Sequence, residues 1–369
     1  MTRPHKTLIF HIGDHKTGST SIQAAFARNK VTLKNRTIFY PAKLAHNYLK
    51  ESFKAYSRPQ RKAAHKKAIA TFENLAGRIE TARADFCLIS GESFEGVDPA
   101  VFHAIVTRYF AEAADDIRVV AYVRPHAARL LSSFCERLKN GNARAMGDTL
   151  DTFFTHTSKN RRFHYLPRFS AWRDAFGDQF ILRPFVRDQL YQGSVVADFI
   201  RHGFAQEDFR IEEVDHANQS LCLEDLMRLK VLQSQHAKHP HKLNHALGWE
   251  AARLLGTLPA PQTRTRLGLH KALARNIHST YLQDARAMDQ RFFDAKPLLE
   301  TELTHAVDHA TEAAQSLDPS AWLGAGEMRS LTVLATLIGN MTRADPGKWV
   351  AFWRSNLAEG RQPDAASDH

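Results

Sequence analysis

The sequence of 369 residues predicts an α/β fold: a parallel sheet flanked by helices, with a helical C-terminal extension. Two patterns carry that expectation. Five runs, residues 7–12, 37–40, 86–90, 117–123 and 180–183, are rich in apolar residues and bounded by polar or turn residues. The longer ones are apolar almost throughout, which suits strands covered on both faces. Helix-period patterns separate them at residues 21–29, 60–82, 99–114, 125–140 and 193–202. Such alternation builds a parallel sheet whose ligands sit outside the carboxyl ends of its strands.

Beyond about residue 210 the strand-like runs stop. Residues 221–235, 245–255, 264–288, 295–317 and 327–357 carry apolar residues at the three- and four-residue intervals of helices. The expected organisation is an α/β core over 1–210 and a helical part over 211–357 packed on it, because no Gly-, Ser- or Pro-rich linker divides the two. A polar tail over 358–369 is expected to be disordered.

A content of 43% hydrophobic and 24% charged residues is that of an ordinary globular protein. No apolar run has the length of a membrane span, and Met1 to Lys6 leads straight into the first strand, so neither a transmembrane segment nor a secretory signal is expected. Cys87, Cys135 and Cys222 are widely spaced, with no CxxC pair, and fit reduced thiols in a cytoplasmic protein. Fifty Lys and Arg against 39 Asp and Glu give a formal charge of +11, whose field concentrates anionic ligands. A nucleotide, an acidic glycan, a lipid head group or a nucleic acid all meet that description, and peripheral membrane contact is compatible with it. His236, His239, His241 and His245 stand among Lys238 and Lys242 without metal-ligand spacing. They fit a solvated basic face, and no metal site is expected.

The most specific local signal follows the first strand. Gly13-Asp14-His15-Lys16-Thr17-Gly18-Ser19-Thr20 connects it to the helical stretch from Ser21. A helix N-terminus offers unpaired N–H groups and a partial positive charge, so this P-loop-like turn suits a phosphate or sulfate. In a Walker loop, G-x-x-x-x-G-K-[ST], the lysine follows the last glycine. Here Lys16 precedes Gly18 by two residues. The plain alternative is a tight turn whose glycines merely permit positive φ and whose lysine is solvated.

That order resembles the phosphosulfate-binding loop of the sulfotransferase superfamily, whose donor is 3'-phosphoadenylyl sulfate (PAPS). His11-Ile12-Gly13 followed by His15-Lys16-Thr17-Gly18-Ser19-Thr20-Ser21 looks especially like its bacterial branch. The resemblance implies a sulfotransferase-type fold, in which Lys16 stabilises the leaving phosphate and Thr17, Gly18, Ser19 and Thr20 hold the 5'-phosphosulfate. Ser19 stands where the family usually has threonine, which keeps the hydroxyl.

A second anion site is expected where residues 117–123 end in Arg124-Pro125. A guanidinium at the sheet's carboxyl edge can hold a phosphate through two N–H bonds. Ser132, about two helical turns on, can return to the same side. The alternative is a helix start with Pro125 at its first position and an arginine that pairs locally. The arginine–serine step resembles the 3'-phosphate site of PAPS sulfotransferases, which implies that Arg124 and Ser132 bind that phosphate. The resemblance continues through Trp172 to Phe185 and thins beyond about residue 205.

Sulfuryl transfer to a hydroxyl or amine needs a group that accepts the nucleophile's proton. Glu92 follows the strand at residues 86–90 and lies at the edge where both anion sites converge. Several carbohydrate sulfotransferases use a glutamate, and the resemblance places Glu92 in that role. A helix-turn glutamate that only complements a dipole is the alternative for Glu92, and His15 is the rival base. Asn218-Gln219-Ser220 could belong to the acceptor cleft or cap the helix that follows.

The expectation is therefore a PAPS-dependent sulfotransferase acting without a metal, on an acceptor that the family and the basic surface place among carbohydrates or glycolipids, with no nucleic acid partner. Two other functions stay open. A P-loop phosphotransferase would need ATP and Mg²⁺, commonly held by an Asp at a strand end. A non-catalytic polyanion-binding module would use basic stretches such as Arg58, Arg61, Lys62, Lys66 and Lys67.

Overall fold

The computed structural model describes residues 5–14, 16–212, 221–234, 241–259 and 263–359. Its strands are β1 (Thr7–His11), β2 (Val31–Leu33), β3 (Ile38–Phe39), β4 (Phe86–Ser90), β5 (Asp116–Val123), β6 (Phe180–Pro184) and β7 (Phe209–Ile211). Its helices are α1 (Ser19–Ala27), α2 (Leu49–Tyr56), α3 (Lys62–Thr81), α4 (Pro99–Tyr109), α5 (His126–Lys139), α6 (Ala143–Gly147), α7 (Leu150–Ser158), α8 (Tyr165–Phe176), α9 (Val195–Phe199), α10 (Leu223–Ser234), α11 (His241–Thr257), α12 (Lys271–Phe292), α13 (Leu298–Asp308), α14 (Ala325–Ala344) and α15 (Pro346–Glu359). The contacts divide the chain into two compact units. One comprises Met1–Pro125, His164–Asp215 and Tyr281–Glu302; the other comprises His126–Phe163, His216–Thr280 and Leu303–His369.

The first unit is built on a five-stranded, wholly parallel sheet in the order β3-β4-β1-β5-β6. These are the five runs expected from the sequence, and the reason they are apolar throughout is visible. Ile9, Leu88, Val120 and Tyr122 project to one face, where Ile22 and Phe26 of α1 and Val196 and Phe199 of α9 cover them. On the other face Phe10 meets Phe102 of α4 edge-on at 5.3 Å, and Phe102 in turn packs against Phe53 and Trp172. Every residue of β1 and β4 is buried. This α/β arrangement, a parallel sheet flanked by helices, is compatible with a P-loop-like fold.

The antiparallel pair β2–β7 lies outside that sheet. Each partner has three residues, too few to show a hydrophobic period, and neither is legible in the sequence.

A buried lysine closes the start of the sheet. Lys6 Nζ donates to the carbonyls of Ile79 at 2.6 Å, Glu80 at 2.9 Å and Ala82 at 2.8 Å. These carbonyls lie at the C-terminal end of α3, where the last turn lacks backbone donors and the dipole favours a cation.

The second unit is helical among the described residues. In its interior Glu224 of α10 accepts hydrogen bonds from the Thr265 backbone and hydroxyl, and Arg228 bridges Asp225 and Glu327. Three helical stretches expected from the sequence have other bounds here. The one at 264–288 begins only at Lys271, and that at 295–317 ends at Asp308, beyond which Thr311 pairs with His270 in a bridge. The stretch 327–357 is two helices, because Pro346 cannot continue α14 and instead opens α15, with Asp345 accepting from the Lys348 N–H at 3.0 Å.

Candidate functional site

Because β4, β1 and β5 run parallel as neighbours, their carboxyl ends meet at one edge of the sheet. His11 pairs with Ser90 on one side and Val120 on the other. The chain segments that leave this edge are therefore the turn at 13–18, Gly91-Glu92 and Arg124. The chain crosses from one flank of β1 to the other between β4 and β5, and such a crossing opens a crevice.

The turn is made by three residues with left-handed backbone. Gly13, Lys16 and Gly18 have φ of 63°, 69° and 78°. For lysine this conformation is uncommon and costs on the order of 1 kcal/mol, so the surrounding structure has to hold it. Gly18 is the N-cap of α1, so no side chain caps the helix, and its first turn carries no acidic residue. The first N–H groups of α1 thus have no side-chain oxygen from the cap and no carboxylate within their own turn.

Space around the turn is tight on the β4 side. A β-carbon built on Gly13 would lie 2.7 Å from Glu92 Cα and 3.2 Å from Ser19 Oγ. Glycine is therefore required twice over, by φ and by the approach of Glu92. Ser19 is 3% exposed, and its hydroxyl has no hydrogen-bond partner among the described residues. A buried hydroxyl at a helix start calls for a polar atom to complete it. Thr17 does not share that property. Its buried hydroxyl donates to the Asp14 carbonyl at 2.5 Å and so serves the turn itself.

Two arginines hold the turn from outside. Arg124 Nη1 donates to the Lys16 carbonyl at 2.8 Å, and its guanidinium lies over the Phe185 ring at 5.7 Å. The Tyr165 hydroxyl donates to the Arg124 carbonyl at 2.8 Å. Arg168 of α8 grips the fully buried Asp14 through both carboxylate oxygens and lies over the Phe169 ring at 4.5 Å. Sequence reasoning does not find Arg168. The only local signal is a short acid inside an anion-binding turn, and such an acid, once buried, needs a cation.

No protein-family model matches this chain, and no curated protein matches it.

Beneath the turn lies a buried polar hub on Ser90, which sequence reasoning also misses. Ser90 Oγ is 2.8 Å from His11 Nδ1 and accepts from Gln23 Nε2 at 3.2 Å. The Ser90 N–H donates to His46 Nδ1 at 3.1 Å, and the His46 N–H donates to the Ser90 carbonyl at 2.7 Å. With Nδ1 accepting, the neutral His46 ring carries its proton on Nε2. Burial pushes the His11 imidazole down to about 3. Burial likewise lowers His46 to about 4, opposed by the Ser90 carbonyl 3.3 Å from Nδ1 and aided by Arg78. His11 is thus a neutral strand histidine inside the fold. The hub fixes the end of β4 immediately before Gly91 and Glu92.

The first unit therefore brings together Lys16, Thr17, Gly18, Ser19, Thr20, Glu92 and Arg124. Ser132 is half-buried on α5, in the second unit. On the same helix Arg129 is buried, with its guanidinium over Phe163 at 5.6 Å. His15, Asn218-Gln219-Ser220, His236, His239 and residues 360–369 of the tail lie outside the described residues.

Proposed function

We propose that this chain is a sulfotransferase with a sulfotransferase-type P-loop-like fold, moving a sulfuryl group from PAPS to a hydroxyl or amine of an acceptor. The observation that carries the reading is the turn after the central strand. There a left-handed Lys16 sits two residues before a glycine N-cap, beside a buried Ser19 hydroxyl without a partner and against the backbone of Glu92.

The residues present suit a phosphosulfate. The opening N–H groups of α1 and the Ser19 and Thr20 hydroxyls would hold its oxygens. Thr17 would contribute through its backbone N–H, since its hydroxyl is spent on Asp14. PAPS supplies an activated sulfuryl group, and the chemistry ends with a new sulfur–oxygen or sulfur–nitrogen bond to the acceptor and the free bisphosphate. Lys16 would neutralise the charge left on the departing phosphate. Glu92 would take the acceptor's proton, with His15 the rival for that task. Arg124 would hold the 3'-phosphate, the role in which the resemblance also names Ser132. The bond from Arg124 to the Lys16 carbonyl ties the end of β5 to the turn. A carbohydrate or glycolipid acceptor and a cytoplasmic location belong to this same reading.

Isothermal titration with adenosine 3',5'-bisphosphate tests it. Saturable binding is expected, and absence of heat at millimolar ligand sinks the proposal. Metal-dependent ATP consumption in a coupled assay would point to a phosphotransferase instead. Salt-sensitive binding to many polyanions without transfer of radiolabelled sulfate would point to a binding module.

A further inference from the structure

Among the described residues nine large apolar side chains stand exposed, and seven of them belong to the second unit, on or beside α11, α14 and α15. They are concentrated on α14. Val333, Leu337 and Met341 are 55%, 54% and 54% exposed and recur every four residues, which places them along one side of the helix, with Leu334 beside them. The opposite side of α14 is the buried one, through Ala335 and Thr342. On α15 Phe352 is 52% exposed, while Trp349, Val350 and Trp353 of the same helix pack with Leu243 and Leu247 of α11. A helix that already has a buried side and still shows a continuous apolar stripe among the described residues offers a surface for a further partner.

The charges around the stripe say what that partner is. Arg329 stands one turn before Val333, Arg343 ends α14, Lys348 stands one turn before Phe352, and Arg354 follows it. All four are exposed, and none makes an ion pair among the described residues. The neighbouring acids are occupied within the unit: Glu250 by Arg253, Glu327 by Arg228, and Asp345 by the Lys348 N–H. What faces outward is therefore apolar and, although the exposed Asp345 carboxylate stands between Arg343 and Lys348, cationic on balance. A second copy of this face would bring the same net positive charge to the contact, whereas an anionic lipid surface satisfies the stripe and the cations together.

We propose that the exposed side of α14, with Phe352 of α15, docks on membranes rich in anionic phospholipid. The cations engage head groups while Val333, Leu334, Leu337, Met341 and Phe352 enter the boundary between head groups and acyl chains. No helix among the described residues is long and apolar enough to cross a membrane, so the contact is peripheral. The inference stands on the second unit alone and is independent of the donor proposed for the first.

Co-sedimentation of the full chain with phosphatidylcholine vesicles, with and without phosphatidylserine, tests it. Binding is expected to the mixed vesicles, weakened by salt, and to be far weaker without phosphatidylserine. Leu337→Glu should lower vesicle affinity roughly tenfold or more, and Arg329→Ala with Lys348→Ala by about fivefold for each cation removed. Both variants keep the buried side of α14 and should melt at the wild-type temperature. Failure of the wild-type chain to bind the mixed vesicles overturns the proposal. So does unchanged binding by a folded Leu337→Glu variant, or light scattering that shows a dimer which Leu337→Glu dissociates while vesicle binding is absent.

Discussion

Arg168 holds Asp14 through two parallel hydrogen bonds of 3.1 and 3.0 Å, across 154 residues of sequence, and Asp14 has no exposed surface. The pair anchors the first half of the turn at 13–18 to α8, while Arg124 anchors the second half to the end of β5. A backbone with three left-handed residues is held from both sides, and this is how an otherwise costly Lys16 conformation persists.

Removing Arg168 takes the bidentate guanidinium away from the buried Asp14 carboxylate. Arg168→Leu should therefore lower unfolding stability by about 3–5 kcal/mol in urea titration. Asp14→Asn added to Arg168→Leu removes the buried charge and should restore a good part of the loss. If Arg168→Leu unfolds at the wild-type midpoint, the pair does not hold the turn.

Lys6 is a second buried cation with a different task. Lys6→Met keeps the length of the side chain but removes the ammonium donor from the carbonyls of Ile79, Glu80 and Ala82 at the end of α3. The expected loss is about 2–4 kcal/mol, read from the denaturation midpoint. Lys6→Arg should be intermediate, because its fork matches three converging carbonyls poorly.

Acid should destabilise the fold before the carboxylates titrate. His11 and His46 are neutral in the folded chain, at about 3 and about 4, whereas an unfolded histidine titrates near 6.5. Below that value the unfolded state binds protons that the folded state refuses, so stability falls as pH falls. Each histidine contributes about 1.4 kcal/mol per pH unit, until the folded value is reached. Burial lowers His202 as well, and it adds in the same sense. Urea midpoints from about pH 7 to about pH 5 should drop steeply in the wild-type chain, and less steeply in His46→Gln. Equal slopes in the two proteins would show that His46 protonates freely in the folded state.

Which parts of this structure the sequence discloses follows from how local their causes are. The five sheet strands are legible because both faces are covered, so Ile9 and Phe10 are equally apolar although they point to opposite helical layers. The positions of Gly13 and Gly18 are legible because a strand-to-helix turn imposes left-handed backbone locally. The proximity of Glu92 follows from parallel neighbours ending at one edge. The partnership of Asp14 with Arg168, the bond from Arg124 to the Lys16 carbonyl and the His46–Ser90 hub are not legible. Each joins residues far apart in the chain with no period or motif between them. The break between α14 and α15 is signalled by Pro346 but masked by apolar residues that keep helical spacing across it.

The sharpest test of the turn is the smallest substitution in it. Gly13→Ala adds one methyl where the backbone has φ of 63° and where that carbon would meet Glu92 Cα at 2.7 Å. Neither contact can yield by a side-chain rotation, since one atom belongs to the backbone of β4's continuation and the other constraint is the turn itself. The expected stability loss is about 1–3 kcal/mol. Arg124→Ala leaves that contact alone and removes the donor to the Lys16 carbonyl. On the proposed function it weakens bisphosphate binding by roughly 1.5–3 kcal/mol, the loss of a charge-assisted bond. The two variants weight the turn's shape and its ligand differently, since Arg124 also anchors the turn through the Lys16 carbonyl. Gly13→Ala should impair folding and bisphosphate binding together, whereas Arg124→Ala should lose affinity with the melting temperature less affected. Bisphosphate binding of wild-type strength in a folded Gly13→Ala protein would remove the turn from the site altogether.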